Sequence, residues 1–201
     1  MAFTVANAYD AIRRRLQDYS DKSYSDAELL LYINDAQKDF AVTGCCQAKT
    51  TKSLSAASSL ANSTTVSGTN AQEILEILRV DAGSEPLGMA TVYEELAWPV
   101  SGNTDTPTGW LRWNETVYID SAYTGNLNVW YTFIPKELVD GNNLTVPSQW
   151  FPAIVNYAIY RCLDSSQDPQ AAQLMAEYVI QKTQASIMYA VREDKPRPAA
   201  N

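Results

Sequence analysis

The side chains that could do chemistry are few. Cys45-Cys46 is an adjacent thiol pair that could supply a nucleophile. Glu73 with Glu76, and Glu94 with Glu95, are carboxylate pairs that could move a proton, and Arg13-Arg14-Arg15 could grip a phosphate or an acidic partner. Each lacks the second half of its machinery. A nucleophilic thiol needs a base, most often histidine, and the chain has none. The same gap removes His triads, His metal sites and a His pH switch. Adjacent carboxylates on a helix do not face each other, whereas an acid–base pair needs convergent geometry. No four-ligand zinc spacing, phosphate loop, dinucleotide fingerprint or nucleic-acid module occurs. The expectation is therefore a protein with no catalytic residues, no metal and no cofactor, not an enzyme. The glutamates read as solvated charge and the cysteines as thiols buried at a helix end.

Two features remain. Three consecutive helical residues sweep about 200°, so most of Arg13-Arg14-Arg15 must be exposed. It is either a partner contact or a solvated face balanced by Asp10 and Asp18. The chain also has five tryptophans and 12 tyrosines, with Trp98, Trp110, Trp113 and Trp130 in its middle. These suit core packing, an interface, or a sugar-stacking face in which Trp110, Trp113 or Trp130 is a platform. The last would make the chain a carbohydrate-binding module.

The composition frames these residues. A chain of 201 residues with 46% hydrophobic and 19% charged side chains is an ordinary globular chain, of one domain or one domain with an insert. With 15 basic and 23 acidic residues the net charge is -8, which makes it a poor general binder of nucleic acid. Residues 51–145 hold four basic and eleven acidic side chains, nearly the whole surplus. Three cysteines form no legible disulfide framework and fit a reducing cytosol. No signal peptide or apolar run of ~18 residues is visible, so no membrane is expected, and a soluble intracellular protein is.

The elements that must carry these residues change character twice. Val5, Tyr9, Ile12, Leu16 and Tyr19 form one helical stripe. Ser25 and Glu28 form a capping box for a second, with Leu29, Ile33, Ala36 and Phe40 on its apolar face and Gly44 as its stop. Lys52–Asn70 reads as short strands and surface turns, Glu73–Val80 as a strand, and Thr91–Leu96 as a short helix. Trp110–Trp113 and Thr116–Ile119 flank an Asn114-Glu115 hairpin turn. Gly125-Asn126 reads as the next turn, before a strand with Leu127, Val129, Tyr131 and Phe133 on one face, ended by Pro135. Ser148 caps a helix whose wide stripe includes Phe151, Ile154, Val155, Ile159 and Cys162. Asp168-Pro169 starts the last one, lined by Ala171, Met175, Tyr178, Ala185 and Tyr189.

The fold class expected is α+β, mainly α: a four-helix bundle from residues 1–50 and 146–192, with an antiparallel β insert over 51–145 between helices 2 and 3. Residues 193–201, with Pro196 and Pro198, are expected to form a flexible C-terminal tail.

This organisation resembles the head-to-tail connector adaptors of tailed bacteriophages, the head completion or neck proteins. The likeness covers most of the chain. It lies in the paired helices Thr4–Asp18 and Ser25–Val42, entered through Tyr-Ser-Asp-Ala-Glu-Leu-Leu, and in Tyr93-Glu94-Glu95-Leu96. It continues through Thr106-Pro107-Thr108-Gly109-Trp110, Val117-Tyr118-Ile119-Asp120 and Leu127-Asn128-Val129-Trp130-Tyr131. Leu144-Thr145-Val146-Pro147 then leads into Trp150–Leu163, and Asp164 and Asp168 mark the turn into the last helix. The resemblance implies a virion protein of the neck, made in the host bacterial cytoplasm. Its implied partners are the portal, a downstream tail or neck protein, and copies of itself in a ring, commonly of twelve. Double-stranded DNA passes through without specific binding. By position, portal docking falls on the last helix and on Lys195 and Arg197, with Arg13, Arg14 and Arg15 as a second candidate. Glu73, Glu76, Glu94 and Glu95 are the candidate channel-lining acids.

Overall fold

Local capping and apolar spacing set the helices of the computed structural model, which describes residues 2–18, 23–67, 69–90 and 106–190. Thr4 accepts from the Asn7 amide, and Asn7 returns the bond, so α1 (Val5–Leu16) starts at a reciprocal cap. Ser25 accepts from the Glu28 amide at 3.2 Å and opens α2 (Asp26–Ala41). Later in the chain, a single 3-10 turn (Ser148–Trp150) leads into α4 (Phe151–Ser165); Ser148 makes no side-chain cap there. Asp168 accepts from the Gln170 amide at 2.8 Å and starts α5 (Gln170–Ala190).

The chain divides into two compact units: residues 1–46 with 135–201, and residues 47–134. In the first, α4 is central, packing against α1, α2 and α5. Its stripe of Ala153, Ile154, Val155, Ala158, Ile159 and Cys162 is buried, as its width predicts. Phe40 of α2 meets Trp150 and Tyr178 at ring separations of 5.6 and 6.0 Å, and Phe151 stacks on Phe3 at 4.0 Å.

The second unit is a six-stranded sheet: β1 (Gln47–Ala61), β2 (Ala71–Ala82), β3 (Glu85–Pro86), β4 (Gly88–Met89), β5 (Gly109–Trp113) and β6 (Thr116–Pro135). A short helix, α3 (Asn62–Val66), links the first two strands. The order is β3-β2-β6-β5-β4, with β1 also paired to β6. Only Leu87 separates β3, which pairs with β2, from β4, which pairs with β5, so the two ends of the sheet are drawn together into a nearly closed, barrel-like form.

That sheet corrects the expected fold class. The described chain is about 43% helical and 34% strand, not a mainly-α four-helix bundle with an insert. Two elements account for the difference. Residues 47–61 form one 15-residue strand rather than short strands and turns, followed by a helical turn. Gly125-Asn126 is not a turn but the middle of the 20-residue β6. Apart from Thr132, buried positions keep one parity along it, from Val117, Ile119 and Ser121 to Leu127, Val129, Tyr131 and Phe133, so the strand continues without reversing its faces. Gly125, at φ 150, and bulges in the facing β1 absorb the irregularity. The Asn114-Glu115 hairpin forms where expected, with Asn114 at φ 51. The expected helix at 91–96, Trp98 and the expected tail lie outside the described residues.

Candidate functional site

The arginine cluster separates into three environments. The Arg13 guanidinium turns inward, pairing with Asp18 at 3.3 Å and Asp26 at 2.6 Å and donating to the Tyr24 carbonyl. Its side chain is 11% exposed and that of Asp18 6%, so this residue ties the α1–α2 connection rather than offering a charge to a partner. Arg14 is exposed. Arg15 is exposed as well, but bonds through Nη1 to the buried Asn156 of α4. Beside it, Leu16, Gln17, Ile159, Leu163, Asp168 and Gln173 border an open cleft of about 450 Å³ in the helical unit. Lys195 and Arg197 lie outside the described residues.

On α5, the charges face inward. Lys182 pairs with Asp39 of α2 at 2.7 Å, and Tyr178 donates to the same carboxylate at 2.5 Å. Burial first, and then the Asp39 bond, raise the Tyr178 hydroxyl above its ordinary range. Glu177 accepts from Asn156 and Gln173.

Of the channel-lining candidates, Glu73 and Glu76 are exposed on β2, and Glu94 and Glu95 lie outside the described residues. A separation of three along a strand puts Glu73 and Glu76 on opposite faces. Glu73 borders a smaller cleft of about 240 Å³ with Asn62, Gln72, Arg112 and Glu115, where Arg112 donates to the carbonyls of Ile74 and Leu75.

Trp110, Trp113 and Trp130 lie in three different settings, and Trp98 lies outside the described residues. Trp110 is buried, and Lys49 and Arg79 lie over the Trp130 ring at 4.6 and 5.0 Å. Lys49 is the cross-strand partner of Trp130, so the pair fixes register. Trp113 alone of these three is exposed, at 48%. Two quoted sequence patterns do meet: Asp120 accepts from the Thr108 and Gly109 amides and the Thr108 hydroxyl, pinning the approach to β5. This contact was not legible in advance; the signal was a lone acid at the end of an apolar strand opposite a Thr-Gly pair.

All three cysteines are free and buried. Burial pushes the Cys162 thiol up to about 12, and the bond to Cys45, with burial, raises the Cys46 thiol. The Cys46 bond lowers Cys45. No group of acids and cysteines among the described residues is placed to hold a metal, and no described helix is long and apolar enough to cross a membrane.

The sheet unit is acidic, and the helical unit holds Arg13, Glu177 and Lys182 in internal bonds. The chain belongs to the SU10 adaptor protein family, which it matches over residues 3–200, consistent with a head-to-tail adaptor of a phage. The family implies a structural, non-catalytic role as a virion component that meets portal and tail. No curated protein matches the chain.

Proposed function

We propose that this chain is one subunit of a ring, of twelve copies, that binds the portal at the capsid vertex, joins head to tail and lines the channel through which DNA passes. The observation that carries the reading is the adaptor-family match across residues 3–200. Charge supports it. Residues 47–134 hold four basic and nine acidic side chains, a net of -5. A DNA channel works best when its wall does not bind phosphate, because each cationic contact adds affinity that would stall the moving duplex. Glu73 and Glu76, on opposite strand faces, give this idea a discriminating form: one of them lines the channel, not both. Arg14, Arg15, Lys195 and Arg197 are the proposed portal contacts, with Arg13 held in its internal pairs.

The test uses portal-bearing heads made without this protein. Adding the purified chain should seat a ring on each portal, counted by native mass spectrometry of the released complex, and stop DNA leaking from the heads. Deleting residues 194–201 should leave the melting curve unchanged and weaken attachment. Lysine at Glu73 or at Glu76, one of the two, should slow ejection. A wild-type chain that leaves portal-bearing heads bare overturns the reading.

A further inference from the structure

The open cleft of the helical unit is built around one arginine. Helix α1 ends at Leu16 and turns away through Gln17, which is left-handed at φ 56. Helix α4 ends at Ser165, and the chain turns towards α5 through Gln167, at φ 58. The cleft beside these ends, about 450 Å³, is within the ~300–1,000 Å³ of ligand pockets. Its apolar lining is Ile159, which is buried, with Leu16, Leu163 and Leu174, which are half-buried. Its cation is Arg15. Asn156, 3% exposed, accepts from Arg15 Nη1 and donates to one oxygen of Glu177 at 3.3 Å. Gln173 donates to the other oxygen at 3.1 Å. A buried amide therefore holds one nitrogen of the guanidinium, and the carboxylate behind it is engaged by two amides. Among the described residues the Arg15 side chain makes no other bond. A guanidinium carries five N–H donors in a rigid fork, so most of them are left for a ligand. Part of the rotamer freedom is already lost before binding, which favours a tight contact.

We propose that this cleft receives an acidic segment of the portal, with a Glu or Asp carboxylate on Arg15 and a neighbouring aliphatic side chain against the leucines. The inference rests on the adaptor reading above and gives the portal contact at Arg15 its chemistry. Charge decides the class of ligand. A carboxylate is a single charge whose two oxygens match one guanidinium. A nucleic-acid backbone takes several cations to hold. Among the described residues the cleft has Arg15 alone, and Asp168 also lies on its wall. That acid does not compete for the arginine: it accepts from the Gln170 amide at 2.8 Å and caps α5. Shape decides between a peptide and a free acid. A small acid on Arg15 leaves the leucine side of the cleft uncovered, whereas a peptide brings one side chain for each half. Arg13 takes no part, because Asp18 and Asp26 hold it, and Arg14 does not line the cleft.

Attachment of the full chain to portal-bearing heads made without this protein tests the proposal. Arg15→Met keeps the aliphatic stem and removes the fork. It should attach at least roughly thirtyfold more weakly than the wild type, and Arg15→Lys should recover part of the loss. Arg14→Met removes a solvent-facing charge and should cost about fivefold or less. Circular dichroism melting checks the fold of each variant. A second measurement leaves Arg15 in place: a photoreactive benzoylphenylalanine at Gln170, an exposed position on the cleft wall. On the heads it should cross-link to a portal peptide that carries Asp or Glu beside Leu, Ile or Val, and this decides the matter if Arg15→Met melts early. Cross-linking to DNA, to another copy of this chain or to a portal peptide without an acid, or none at all, overturns the proposal. So does a folded Arg15→Met chain that attaches like the wild type; complete wild-type rings in that experiment leave the adaptor reading standing while the cleft assignment falls. A wild-type chain that leaves the heads bare removes both.

Discussion

Replacing Arg13 by alanine should damage the fold, while the same change at its neighbour Arg14 should not. The Arg13 guanidinium lies between the Asp18 and Asp26 carboxylates and under the Tyr24 carbonyl. Asp26 is exposed at the helix start and water replaces its lost partner. Asp18 is not so placed: its side chain is 6% exposed, and the bonds it accepts from the Ser23 and Tyr24 amides are long, at 3.4 and 3.3 Å. Removing one partner of a buried pair costs about 3–5 kcal/mol. The bonds that Asp18 retains place Arg13→Ala at the lower end, about 3 kcal/mol, or very roughly a 6–12 °C drop in melting temperature for a chain of this size. Arg14→Ala, on an exposed position, should stay within about 0.5 kcal/mol. Urea unfolding followed by far-ultraviolet circular dichroism reads both. Asp18→Asn combined with Arg13→Ala should recover part of the loss, because it removes the stranded charge. If the two single variants differ by less than about 1 kcal/mol, the inward placement of Arg13 is wrong, and the whole cluster returns as a docking surface.

Four further outcomes are expected. Ile154→Asp buries an unpaired charge in α4 and should leave little soluble protein; wild-type melting would remove α4 from the core. Gly125→Ala should cost about 1–3 kcal/mol, since its backbone sits at φ 150 and a Cβ would approach the Tyr123 Oη to 2.6 Å; an unchanged urea midpoint would mean β6 turns at this point after all. Asp120→Ala should raise hydrogen exchange at the Thr108 and Gly109 amides about tenfold, and unchanged protection would show that something else holds the start of β5. At pH 8 the raised Cys162 and Cys46 thiols remain protonated as well as buried, so iodoacetamide should label them only after unfolding; rapid alkylation of Cys162 in the native chain would contradict its packing.

The helices were legible because their burial repeats every three to four residues. Val5 and Ile12, Leu29 and Ile33, and Ile154 and Cys162 are all core. The sheet was legible only in part. On β6 the alternation from Leu127 to Phe133 could be read, but the Gly125-Asn126 pair carried a turn signal that outweighed the parity running through it. On β1 there was almost no signal to read. Apart from Gln47, Leu54 and Leu60 its residues are Ser, Thr, Ala and Lys, and its side chains are mostly exposed, because the strand contributes backbone pairing and cross-strand bonds such as Thr51 to Asn128 and Ser53 to Asn126. A strand that buries little leaves little periodicity, and the helical share was overestimated as a result. The arginine cluster was legible in part for a related reason: helical rotation alone says that most of Arg13-Arg14-Arg15 is outside, as Arg14 and Arg15 are, but not which residue turns in. That choice was made by Asp18, five residues on, in the loop after the helix.

The long pairing of β1 with β6 also has a consequence during synthesis. Gln47 pairs with Thr132 and Ala61 with Thr116, partners 85 and 55 residues later in the chain. At roughly 5–20 residues per second, a ribosome leaves β1 waiting about 3–17 s before the matching stretch of β6 exists. For that interval β1 is an unpaired edge in the open, the kind of segment that collects other chains when it is apolar. Its run of Lys49, Lys52, serines, threonines and alanines is then a safeguard for a nascent strand whose partner has not yet been made. Valines at its outward positions should leave the finished sheet intact and sharply lower the soluble yield at high expression rates. Slowing expression or cooling the culture should restore it.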